Sequence, residues 1–89
     1  MPNLHSSFKR VRTAAKKAAH NRPIRTYTRT LVARAQAIMA SDATESAPAV
    51  QAALRQLDRA ASKGIIHPNN AARHKSRLQR RLNTILQQH

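Results

Sequence analysis

The sequence predicts an all-α protein, a three-helix antiparallel bundle whose long first helix projects beyond it. Three observations lead there. Apolar residues recur at helical spacing along most of the chain, while strand-like alternation is absent and β-branched residues are sparse. Two punctuated stretches, SDATESAP (41–48) and SKGIIHP (62–68), divide the chain into three helical segments. The first of these segments is about twice as long as either of the others. At 89 residues the chain makes one small domain at most, with an expected basic projecting arm at 1–22 and a bundle at 24–86.

The first helix is expected from about Leu4 to Met39. Leu4, Phe8, Val11, Ala15 and Ala18 form one narrow apolar strip, and Ile24, Tyr27, Leu31, Ala35 and Ile38 form another. Phe8 and Tyr27 are the only aromatics, and their place on these strips predicts packing roles. Phe8 could also stack on a base if its segment projects. Pro23 lacks an N–H and its ring crowds the preceding turn, so a kink or break is expected there.

SDATES (41–46) reads as a loop. Pro48 suits the first turn of a second helix, with Asp42 and Glu45 near its positive end. That helix should run to about Ser62, with Val50, Leu54, Leu57 and Ala61 inward. Gly64 suits the left-handed position past a helix end, where Ile65 can pack back on the last turn. Pro68 suits the start of a third helix over roughly 69–86, with His67 as an unconventional cap. Its inward residues are Ala71, Leu78, Leu82 and Ile85, with Lys75 at their edge. Helices of about 17–20 residues are roughly 25–30 Å long, against roughly 50–55 Å for a continuous first helix. The arm up to Arg22 would therefore extend past its partners.

Charge gives the functional reading. The chain carries a formal +14, with 12 of its 17 cations arginine. Residues 1–34 and 63–89 contain no acid, and all three acids, Asp42, Glu45 and Asp58, lie in the nearly neutral middle. Ordinary solvated helix faces mix both signs. Arg73, Arg77, Arg80 and Arg81 share an arc of about 100° on the third helix, away from Leu78 and Leu82. Arg22, Arg25 and Arg29 lie opposite Ile24, Leu31 and Ile38, while Lys9, Arg12 and Lys16 lie away from Leu4, Val11 and Ala15. Basic stripes of this kind are the footprint of a polyanion-binding protein.

Other chemistries fit poorly. The chain has no cysteine, so it offers neither a disulfide framework nor a thiolate site. His67 and His74 are seven residues apart with no third ligand, which suits capping or RNA contact better than a metal. The three scattered carboxylates do not make an acid–base pair, and there is no phosphate loop or nucleophile elbow. No enzyme, cofactor or small-molecule substrate is expected. No apolar run is long enough to span a bilayer. MPNLHSSFKRVR lacks the apolar stretch of a secretory signal, although a mitochondrial presequence is likewise basic and acid-poor.

KGIIHPNNAARHKSRL (63–78) resembles the C-terminal signature of the bacterial ribosomal small-subunit protein twenty family. LDRAASKG (57–64) is similar too, as are Asn3 before Ser6, Lys9 and Arg10, and His20-Asn21 followed by Arg29-Thr30. The resemblance covers nearly the whole chain. It implies a three-helix structural and assembly protein bound directly to 16S ribosomal RNA, beside neighbouring ribosomal proteins and away from any membrane. It implies a cytoplasmic, ribosome-bound location, or an organelle with a bacterial-type ribosome. By matching position, RNA contacts would fall on Ser6, Lys9, Arg10, Lys16, Lys17, His20, Asn21, Arg29, Lys63, His67, Asn69, Arg73, Lys75 and Ser76. The basic stripes add Arg12, Arg22, Arg25, Arg77, Arg80 and Arg81, and His74 joins them as a histidine suited to RNA contact. Pro68 stands where the family usually has lysine, removing one expected phosphate contact. Pro23 stands where the family's helix is usually continuous, and the SDATESAP linker differs from many members. The alternative reading is a histone-like protein that binds DNA without sequence preference.

Overall fold

The computed structural model describes residues 4–88, with the backbone alone described for residues 4–6. It consists of α1 (Leu4–Ser41), α2 (Ala43–Ser62) and α3 (Pro68–Gln88). There is no strand among the described residues.

Adjacent helices run antiparallel. Gln56 Nε2 donates to Thr28 Oγ1 at 3.2 Å, and these two residues are equidistant in sequence from Asp42. Asp58 on α2 pairs with Lys75 on α3 at 2.7 Å, which fixes the second hairpin the same way. α2 packs against both neighbours, and α1 and α3 touch each other least.

Two expected interruptions are corrected. α1 runs unbroken through Pro23, so the break does not occur. Pro23 cannot donate to the carbonyl of Ala19. Both residues are exposed, so water can take that carbonyl and the helix tolerates the loss. SDATES is not a loop either, because only Asp42 is non-helical between α1 and α2. Its N–H donates to Ile38 O at 2.7 Å, ending α1. Its backbone turns extended, and Oδ1 accepts from Thr44 N at 3.0 Å and Thr44 Oγ1 at 2.6 Å, starting α2. One residue thus closes one helix and caps the next. Pro48 then falls inside α2 rather than at its start.

The second turn matches its sequence signals. Gly64 has φ +74°. Its N–H donates to Ala61 O at 3.0 Å, and Ile65 N donates to Ala60 O at 2.9 Å. That is the Schellman pattern, and Ile65 is buried against the helix end. Pro68 opens α3, and His67 Nδ1 accepts from Asn69 N at 3.1 Å as the cap.

The core is thin, as the composition implies. Its buried apolar residues are Ala35, Met39, Val50, Ala53, Leu57, Ala60, Ile65, Ala71, Leu78 and Leu82. Four of these are alanine, each burying little more than a methyl group, worth about 0.8 kcal/mol. Tyr27 is 55% exposed, which corrects its expected packing role, and Thr28 takes the buried position beside it. The Thr28 hydroxyl donates to Ile24 O at 2.7 Å and accepts from Gln56, so its polarity is satisfied. Buried Ser46 solves the same problem by donating to Asp42 O at 2.8 Å. Small residues on both sides of this seam let α1 and α2 approach closely.

The packing stops partway along α1. Every residue from 7 to 20 is exposed, including Phe8 at 62% and Val11 at 67%, which corrects the packing role expected of Phe8. The molecule measures 67 × 19 × 15 Å, with a radius of gyration of 17.8 Å. A compact chain of this length would have a radius near 12 Å. The excess is the arm.

Candidate nucleic-acid interface

The direction of each cation on α1 follows from about 100° of rotation per residue in an unbroken helix. Arg10 and Lys17 project to the side of α1 on which Thr28, Ala35 and Met39 pack, and Lys9 and His20 lie about 80–100° round, at its flank. Lys16 lies about 120° and Arg12 about 160° round from that side. Phe8, Ala15 and Val11 lie about 160°, 140° and 100° from it, so the arm turns most of its apolar strip away from the bundle while Arg10 and Lys17 face toward it. Lys9, Arg10 and Lys17 line a shallow hollow of about 450 Å³ on this side, and Ser6 belongs to the same stretch but its side chain lies outside the described residues.

The bundle tip meets α1 where the arm begins. Arg25 Nε donates to Ile65 O at 3.3 Å and ties the α2–α3 turn to α1. Asn21 is half-buried at this junction, and Lys63, His67 and Asn69 are exposed on the turn and the first turn of α3. Arm and tip form an inner corner lined by cations and hydrogen-bonding groups. No acid occurs in α1 or α3. Asp42 and Glu45 are at the far end of the bundle, and Asp58 is held by Lys75.

α3 divides its predicted residues among three directions. Arg73 and Arg80 are exposed on the side away from α1, with Asn69 and Ser76 nearby on the helix surface. Lys75 turns to α2, where its pair with Asp58 is partly exposed and worth little to stability. His74, Arg77 and Arg81 turn toward α1. There they line a groove formed because α1 and α3 are held apart by α2.

Two adjoining hollows make up this groove, of about 280 and 270 Å³, and they share Val32 and His74. Arg25 and Arg29 border the first, over a floor that includes Leu57 and Ile66. Arg77 and Arg81 border the second, beside Met39 and Leu78. Arg25 and Arg29 therefore flank the packed seam instead of lying opposite it, which corrects the wheel drawn from Ile24, Leu31 and Ile38. Arg22 stays exposed on the solvent side. Asn70 also lines the groove, and the basic-residue reading missed it. The signal was present: Asn70, His74, Arg77 and Arg81 repeat at the spacing of one helix face.

Among the described residues, no group of three or more histidine or carboxylate side chains that could hold a metal comes together. No helix is long and apolar enough to cross a membrane.

Comparison with known proteins adds a family. Residues 2–83 match the family described as Ribosomal protein S20. The chain is 41% identical to the small ribosomal subunit protein bS20 of Geobacillus thermodenitrificans over 86 residues, covering 96% of this chain and 97% of that one. It is 42% identical to bS20 of Cutibacterium acnes, covering 96% and 98% of the two chains. It is 44% identical to bS20 of Heliobacterium modesticaldum over 84 residues, covering 93% and 96%.

Proposed function

Because the chain belongs to the ribosomal protein S20 family, we propose that it is a structural component of the small ribosomal subunit, not an enzyme, and that it binds 16S ribosomal RNA directly and helps that RNA fold. The observation that carries the finer reading is the acid-free corner between arm and bundle tip. Arg10 and Lys17 face it from one side, with Lys9 and His20 at its edge, and Lys63 and His67 face it from the other. A phosphate backbone laid in the corner meets donors from both, so shape and counterion release supply the affinity. The outward Arg73 and Arg80 add a second contact surface. The protein works in the cytoplasm on the ribosome, next to other ribosomal proteins.

The arm explains why the partner must be an RNA of defined shape. A helix that buries nothing of its own gains order only from what it lies on. A folded RNA can close on the inner corner and on the outward arginines of α3 at once, and a straight DNA duplex cannot. The test is a titration of purified protein against transcribed 16S rRNA across a salt series, with tRNA and duplex DNA as competitors. Binding that survives excess competitor is expected. Equal competition by every polyanion would discard the ribosomal RNA reading in favour of histone-like DNA binding.

A further inference from the structure

We infer that the groove between α1 and α3 is a pocket for a single unpaired nucleotide of the bound RNA, with its base on the apolar floor and its phosphate on the arginines. This rests on the RNA-binding reading above and deepens it.

Three observations converge, with one physical consideration. The floor is apolar, built from Val32, Leu57 and Ile66. The rim is basic from both helices, and no acid lines either hollow. A duplex backbone needs only the rim, since its bases are stacked and out of reach; an apolar floor has use only if a base leaves the stack. Finally, Arg25 is already fixed by its bond to Ile65 O, so its guanidinium is held at the rim before any ligand arrives. The volume, about 280 Å³ with a similar hollow adjoining, lies at the small end of ligand pockets and admits one nucleotide, not a run.

The remaining groups suit the task. Asn70 carries an amide that can donate and accept at a base edge. His74 presents a ring to stack on a base from the border of both hollows. Arg29 and Arg77 approach from opposite walls and can each take a phosphate oxygen pair. Because α1 and α3 touch least of the three helix pairs, a base can enter without separating packed core.

The experiment compares two RNAs of equal phosphate number, a blunt duplex and the same duplex with one bulged 2-aminopurine nucleotide. The full chain is expected to prefer the bulged RNA and to change the fluorescence of its 2-aminopurine. His74→Ala should reduce the bulged-over-duplex preference about fivefold or more, the range for losing one base-stacking partner, and Asn70→Ala by about twofold to tenfold, the range for losing a hydrogen bond. Both residues are exposed, so circular dichroism should show the fold intact. Equal affinity for the two RNAs with a silent fluorophore overturns the pocket, as does a preference that neither substitution moves. If 16S rRNA still outcompetes tRNA and DNA in that event, the pocket alone falls. If that selectivity is also lost, the ribosomal RNA reading falls with it.

Discussion

At the scale of single residues, Asp42 carries more of the fold than its exposure suggests. It ends α1 through its N–H and starts α2 through its carboxylate. The Thr44 hydroxyl, then the Thr44 N–H, hold its carboxyl below the ordinary value of 3.8. A lowered folded value fixes the sign of the pH effect: the carboxylate contributes stability above the unfolded value, and that contribution is lost as pH falls through the folded one. The melting temperature should therefore drop as pH falls from about 5 through 3.8 and below, where the folded value lies. Asp42→Asn keeps a capping oxygen but removes the titration. Its melting temperature should fall less over the same range, measured by circular dichroism at fixed salt. Parallel curves for the two proteins would show that the charge at this cap contributes nothing. The sequence reading placed Asp42 near a helix start but saw a loop around it. The hinge was invisible because one side chain and two backbone groups replace what six residues were expected to do.

At the scale of elements, the helix periods were legible and their interruptions were not. Gly64 and Pro68 were readable because each occupies a position whose backbone geometry almost demands it. Pro23 and Pro48 were misread because a proline in an exposed helix costs a hydrogen bond that water can replace, and sequence does not reveal exposure. Tyr27 was placed inward by spacing alone, yet Thr28 is buried because its hydroxyl bonds to Ile24 and Gln56. The basic faces were legible from the missing acids, whereas the groove needed the relative placement of α1 and α3. The arm itself yields a prediction. Residues 7–20 bury nothing, and an isolated helix of that length is marginal in water even when rich in alanine. In the free protein their amides should exchange with solvent at close to unprotected rates, while those of Leu57 and Leu78 stay protected by the core. Adding 16S rRNA should slow exchange in the arm. An arm as protected as the core without RNA would mean that its helix is self-sufficient.

At the scale of the whole molecule, the shape limits how RNA can be engaged. The body is only 19 × 15 Å in cross-section, and cations occupy both the inner corner and the outward side of α3. A straight duplex can lie against one of these surfaces at a time. A folded RNA can close on both, which makes the protein a wedge between RNA segments. Salt dependence separates these cases, because each phosphate neutralised contributes about −0.7 to −0.9 to the slope of log K against log salt. With 16S rRNA, replacing Lys9, Arg10, Lys16 and Lys17 by glutamine should lower the slope by about three units. Replacing Arg73 and Arg80 should remove about one to two more, and the losses should add because the surfaces are apart. With a short RNA duplex, the arm variant should lose most of its slope and the α3 variant almost none. Equal losses on the duplex and on 16S rRNA would mean that one continuous surface meets the RNA, and the wedge would give way to simple lateral binding.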